Sequence, residues 1–137
     1  MDMLEKIKEL VVEGLGVDVL GVNCSLGPKE LQPIMDVILE NATIPVMMEP
    51  NAGLPCLCCG KTHYEMKPEE FASYMKPYME KGVAIVGGCC GTTPDFIKTL
   101  KEVTPTYVEK REVKVCTRVS SSSKTVGFNG EVVVCGE

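Results

Sequence analysis

Three short apolar runs constrain this chain more than any other feature. Val17 to Cys24, Ile44 to Asn51 and Val83 to Gly88 each read as a buried strand. Between them the apolar residues recur at helical spacing: Leu31, Ile34, Met35, Ile38 and Leu39 in the first interval, then a helix from Glu69 to Lys81 closed by Gly82. A further helix is expected before the first run, through Leu4, Ile7, Leu10, Val11 and Leu15, with Gly14 and Gly16 ending it. Another follows the third run, with Thr93 as its N-cap and Pro94 in its first turn. Pro28 is placed just inside the second helix and Pro33 in its first turns, where a missing donor costs least. Apolar strands alternating with amphipathic helices mean parallel βα units, so the expected class is α/β. About three such units are present, too few to close a barrel.

Two stretches depart from this rhythm. Ala52 to Met66, with Gly53, Pro55 and Gly60, reads as a long mobile loop. From Thr104 to Glu137 the sequence turns charged, then runs Ser120-Ser121-Ser122-Ser123, then becomes strand-like over Glu131 to Cys135. Residues 104–137 are read as an extended linker toward something else, the serines being a flexible connector.

Composition removes several function classes. A net charge of −5 and a pI near 5.0 disfavour electrostatic binding to nucleic acid or an anionic membrane. No apolar run is long enough to cross a bilayer, and the N-terminus lacks the pattern of a signal peptide. A cytoplasmic protein is expected. In that compartment eight cysteines point to metal binding or catalysis before disulfides.

The cysteines fall at informative places. Cys24 and the pair Cys89-Cys90 stand at the carboxyl ends of the first and third strands, and Asn51 stands at the end of the second. In parallel α/β folds, sites form at that end of the sheet. The glycines of Gly87-Gly88-Cys89-Cys90-Gly91 permit both sulfurs of the doublet to turn inward. Three thiolates with one open position describe a catalytic zinc better than a structural one. They also leave the centre electron-rich, which suits alkyl transfer to a bound sulfur. The competing reading is plain burial, since free cysteine packs as a small apolar residue. Cys56, Cys58 and Cys59, with His63 nearby, are read as incidental loop thiols, a tight zinc cluster or a redox sensor being the alternatives. Tyr64 and Tyr74, like Met35, Met47, Met48, Met75 and Met79, are read as packing residues.

Gly21-Val22-Asn23-Cys24-Ser25, Glu49-Pro50-Asn51-Ala52-Gly53-Leu54-Pro55 and Gly87-Gly88-Cys89-Cys90-Gly91-Thr92-Thr93-Pro94 resemble, in order and spacing, the homocysteine S-methyltransferase family. The resemblance covers residues 1–103. It implies the C-terminal part of a (βα)8 TIM barrel and zinc bound through Cys24, Cys89 and Cys90. By the same resemblance Asn51 lies close to the metal and is a possible fourth ligand, the alternative being that it only shapes the turn with Gly53. The implied reaction is methyl transfer to the thiol of homocysteine, giving methionine. The tail resembles the join to a folate-binding domain in the cobalamin-dependent branch, which implies methylcobalamin and 5-methyltetrahydrofolate on other domains. Betaine- or S-methylmethionine-dependent transfer is the alternative, as is a noncatalytic zinc-binding subunit completing a split barrel. Eight units would be needed, so the resemblance also implies partners: a missing N-terminal half barrel and the folate and cobalamin domains.

Overall fold

The computed structural model describes residues 16–106, together with residues 108 and 111 and two short strands at 118–120 and 125–127. The helix expected through Leu4 to Leu15, Cys116 and the Glu131–Cys135 run lie outside the described residues.

Three parallel strands form the central sheet in the order β1 (Leu20–Asn23), β2 (Val46–Glu49), β5 (Ile85–Val86). Leu20 pairs with Val46 and Asn23 with Glu49, while Met47 and Met48 pair with Ile85 and Val86. The strands are shorter than the apolar runs that announce them. Val83 is spent elsewhere: its N–H closes the preceding helix on Tyr78 O at 3.0 Å. Pairing nevertheless continues past β5, since Gly87 N–H donates to Met48 O.

Alternation divides the sheet into two unlike faces. Leu20, Val22, Val46 and Met48 pack with the helices in one apolar cluster. On the other face lie Gly21 beside Met47, then Glu49 beside Gly87, with Ile85 42% exposed. Met47 is therefore not the core residue the sequence reading expected; it stands on the uncovered side. Parallel sheets ordinarily bury both faces, and this one buries a single face within the described residues.

The covered face carries α1 (Gln32–Asn41), α2 (Pro68–Glu80) and α3 (Pro94–Glu102). Met35, Phe71 and Met75 are fully buried, and Phe71 meets Phe96 edge-to-face at 5.3 Å, joining α2 to α3. The first of these helices begins at Gln32 rather than near Pro28. Residues 28–31 form a turn, leaving Pro33 in the first helical turn, where its lost donor is harmless. Pro28 is itself fully buried, and its carbonyl accepts the Tyr78 hydroxyl at 3.1 Å. Burial, and to a lesser degree Asp36, push that phenol up to about 12.

As expected, α2 ends at Gly82, whose φ is +95°. Gly82 N–H donates to Met79 O and Val83 N–H to Tyr78 O, the paired bonds of a Schellman ending. Thr93 does occupy the N-cap of α3 in an extended conformation, but its side chain makes no capping bond.

Within the stretch read as a long loop, β3 (Cys56–Cys58) and β4 (Lys61–His63) pair antiparallel. The two linking residues, Cys59 and Gly60, have φ of 53° and 75°, a two-residue turn that matches strand twist. A second antiparallel pair, β6 (Arg118–Ser120) and β7 (Thr125–Gly127), stands where the sequence was read as linker. The same segment is fastened to α1. The Arg111 guanidinium donates to Ala42 O at 3.2 Å and Ile44 O at 2.6 Å, and reaches Leu39 O at 3.5 Å. These carbonyls lie at or beyond the helix end, where intrahelical donors run out. No helix among the described residues is long and apolar enough to cross a membrane.

Candidate metal centre

The chain leaves β1 through an unusual turn. Cys24 and Ser25, neither of them glycine, have φ of 58° and 64°, and Leu26 N–H closes back on Cys24 O at 2.8 Å. Left-handed backbone at such residues costs on the order of 1–3 kcal/mol each and persists where surrounding contacts hold it. Those contacts are explicit: Cys24 N–H donates to Glu49 O, and Asn51 N–H donates to Leu26 O.

The end of β5 is held from the same side. Cys89 N–H donates to Pro50 O, Ala52 N–H donates to Cys90 O, and the Asn51 side-chain oxygen accepts Cys90 N–H at 3.1 Å. Thr92 closes the doublet's turn, its hydroxyl donating to Cys89 O at 2.7 Å. The β2 end, from Pro50 to Ala52, is thus the central post to which both cysteine loops are tied.

The consequence is a trio of sulfurs. Cys24 Sγ lies 3.6 Å from Cys90 Sγ, Cys89 Sγ lies 4.0 Å from Cys90 Sγ, and all three fall within 4.8 Å of one another. Tetrahedral zinc with sulfurs at about 2.3 Å has sulfur–sulfur edges of about 3.8 Å. The 3.6 and 4.0 Å spacings about Cys90 fit that edge, and none of the three is in a disulfide. Among the described residues no other group of histidine, cysteine or carboxylate ligands is gathered this closely.

Electrostatics separates the three. The Ser25 backbone N–H holds the Cys24 thiol below its ordinary range, helped by Cys89, Cys90 and the Asn51 amide. Cys89 is pushed up, first by Cys24, then by burial and by Cys90. Thiols this close cannot all ionise without a cation among them, so the first negative charge settles on Cys24 and opposes a second on Cys89. Asn51, 3% exposed, touches both sides, contacting the Cys24 thiol and the Cys90 N–H.

All four residues singled out in the sequence therefore converge. The loop thiols do not. Cys58 and Cys59 are exposed with sulfurs 3.8 Å apart, and Cys56 bonds His63 O at 3.4 Å, away from any ligand cluster. Tyr64, immediately after β4 and read from the sequence as a packing residue, packs against the core and on Gly91, beside the doublet. Burial, and then the neighbouring thiols, push its phenol up, so it is an O–H donor.

Comparisons with known proteins identify the family of the chain. The sequence pattern described as Homocysteine S-methyltransferase matches residues 2–104. A methionine synthase of Mycobacterium leprae (strain TN) is 46% identical over 88 residues, covering 64% of this chain and 7% of that protein. A methionine synthase of Mycobacterium tuberculosis (strain ATCC 25618 / H37Rv) is 38% identical over 130 residues, covering 92% of this chain and 11% of that protein. The chain spans about a tenth of the length of these relatives. With its family pattern covering most of the sequence, the chain belongs to the homocysteine S-methyltransferase family.

Proposed function

We propose that Cys24, Cys89 and Cys90 hold a zinc ion whose remaining position receives the thiol of homocysteine, in a module that methylates that thiol to methionine. The observation that carries this reading is the sulfur trio at the carboxyl end of a parallel sheet, spaced for one tetrahedral ion. Zinc there would supply the positive charge that ionises a substrate thiol at neutral pH while leaving its sulfur nucleophilic.

The rest of the work falls to the chain's own residues. With zinc bound, the three thiolates of Cys24, Cys89 and Cys90 would keep the centre anionic and favour electron density on an incoming thiol. Asn51 ties the Cys24 and Cys90 loops together, and the second lone pair of its amide oxygen is free to serve as a fourth ligand when substrate is absent. The strained Cys24–Ser25 turn aims the first sulfur off the end of β1.

We read the fold as part of a (βα)8 barrel, residues 1–103, followed by a connecting segment, 104–137, toward a folate-binding domain. Sequential strand order and, among the described residues, helices packed on one face with the opposite face uncovered support it. The methyl donor in this reading is methylcobalamin, recharged from 5-methyltetrahydrofolate, both carried by other domains; the resemblance to methionine synthases supports that branch. The remaining barrel units would be partners in the pocket. A reducing compartment such as the cytoplasm belongs to the same reading, because the donor thiols must stay reduced.

Zinc content after purification under reducing conditions tests the site. Cys89→Ala is expected to abolish zinc retention and Cys58→Ala to leave it intact; equal loss from both would refute the assignment. In the cobalt-substituted protein, homocysteine should shift the thiolate-to-metal absorption, and no shift would leave only a noncatalytic metal site.

A further inference from the structure

The β3–β4 hairpin carries thiols of its own, outside the centre described above, and two of them stand side by side. Cys58 and Cys59 are both exposed, neither is in a disulfide, and their sulfurs are 3.8 Å apart. Adjacent residues of an extended strand point to opposite sides, which keeps their side chains apart. The turn undoes that separation. Cys58 ends β3, and Cys59 takes φ of 53° as the first of the two turn residues, which brings its sulfur round to that of Cys58. A non-glycine residue in that conformation costs about 1–2 kcal/mol. The pairing of Cys58 with Lys61 closes the hairpin beneath the two thiols. Cys56 is not part of the arrangement: its thiol is turned to His63 O at 3.4 Å and Glu65 Oε1 at 3.7 Å.

Geometry narrows what such a pair can do. A disulfide between neighbours is strained, because Cα atoms joined by a trans peptide are about 3.8 Å apart and disulfides ordinarily need about 4.4 Å or more. The pair therefore rests as a dithiol. Zinc takes four ligands, and among the described residues no histidine, cysteine or carboxylate joins these two sulfurs in a cluster. An ion held by two thiolates in a straight line needs its sulfurs two bond lengths apart, about 4.6 Å, wider than the gap here. A bent centre with two sulfur valences to fill matches both the number of thiols and their spacing.

We propose that Cys58 and Cys59 form a chelating dithiol for trivalent arsenicals that carry one organic group. The step is an exchange without redox change. Both S–H bonds break, two As–S bonds form, and the oxygen of the arsenical leaves as water with the two thiol protons. Arsenic stays trivalent and keeps its carbon substituent. The inference uses different sulfurs from the zinc reading and does not depend on it.

The test incubates the chain with two equivalents of phenylarsine oxide, so that the sulfur trio cannot withhold the reagent, and then challenges it with millimolar glutathione. A second thiol tethered beside the first acts at an effective concentration of about millimolar or more, so glutathione strips a one-thiol adduct before a two-thiol one. Glutathione is then removed, free cysteines are alkylated with iodoacetamide, and each position is read by mass spectrometry. The untreated chain should alkylate at both Cys58 and Cys59, and the treated wild type should be protected at both together. Cys58→Ser and Cys59→Ser should each lower protection of the remaining thiol about tenfold, and Cys56→Ser should leave it unchanged. Free alkylation of Cys58 and Cys59 in the treated wild type overturns the inference. So does a loss in Cys56→Ser as large as that in Cys59→Ser, which would make Cys56 the chelating partner.

Discussion

Replacing Asn51 with alanine removes the side chain that joins the two cysteine loops. The Cys90 N–H, now bonded at 3.1 Å, loses its acceptor, and the Cys24 thiol loses an amide contact. Leaving a buried donor unsatisfied costs about 1–3 kcal/mol, but Cys90 is exposed enough for water to recover part of that. The backbone bond from residue 51 N–H to Leu26 O survives the change, so the β2 post itself should stand. A net cost of about 1–2 kcal/mol, felt where the ligands are positioned, converts to roughly 5- to 30-fold weaker zinc binding. Competition against a chromophoric chelator measures it directly, with thermal unfolding followed by circular dichroism to separate site loss from global loss. Zinc affinity within twofold of wild type would refute the argument that Asn51 couples the loops. If Asn51 is also a ligand in the substrate-free state, saturating homocysteine should shrink the deficit.

Gly91→Ala places a Cβ 2.3 Å from Tyr64 Cγ at φ of +79°, combining a left-handed penalty of about 1–2 kcal/mol with overpacking of about 1–3 kcal/mol. It should weaken zinc binding at least tenfold, whereas Gly60→Ala, at φ of +75° with open space around it, should leave zinc affinity unchanged; chelator competition on both reads the difference. Zinc affinity should also fall as pH is lowered. Cys89 is held protonated by its neighbours, so each bound ion must displace at least that proton, and affinity should rise at least about tenfold per pH unit until the raised Cys89 value is passed. Cys24, shifted down, contributes less of that slope. A chelator titration giving the same affinity one pH unit apart would contradict the assignment of Cys89 as a ligand.

Hydrophobic periodicity located α1, α2, α3 and the three strands because each buries one face against a shared core, a property every residue along the element reports. It overestimated strand lengths, since an apolar residue such as Val83 reads alike whether it pairs in a sheet or closes a helix. The sulfur trio was legible because strand ends and glycine-flanked cysteines are local features. The β3–β4 hairpin was not, although Cys59-Gly60 fills a two-residue turn, because cysteines and lysine dilute the alternation that announces strands. Met47 was misplaced for a related reason: sequence alone does not tell a covered sheet face from an open one. Tyr64 and Arg111 owe their placement to partners 27 or more positions away, Gly91 for the first and Ala42 for the second, contacts no local pattern encodes.

The sulfur atoms of Cys24 and Cys90 are 66 positions apart in sequence, and the stretch between them contains β2, β5 and two of the three helices. An ion shared by these sulfurs would act as a staple across nearly the whole described sheet. By the chain-entropy relation for cross-links, closing a loop of that size is worth on the order of 4 kcal/mol. Chelation would then loosen the scaffold as well as silence its chemistry, and a metal-free sheet with one face bare among the described residues is the form most exposed to proteolysis.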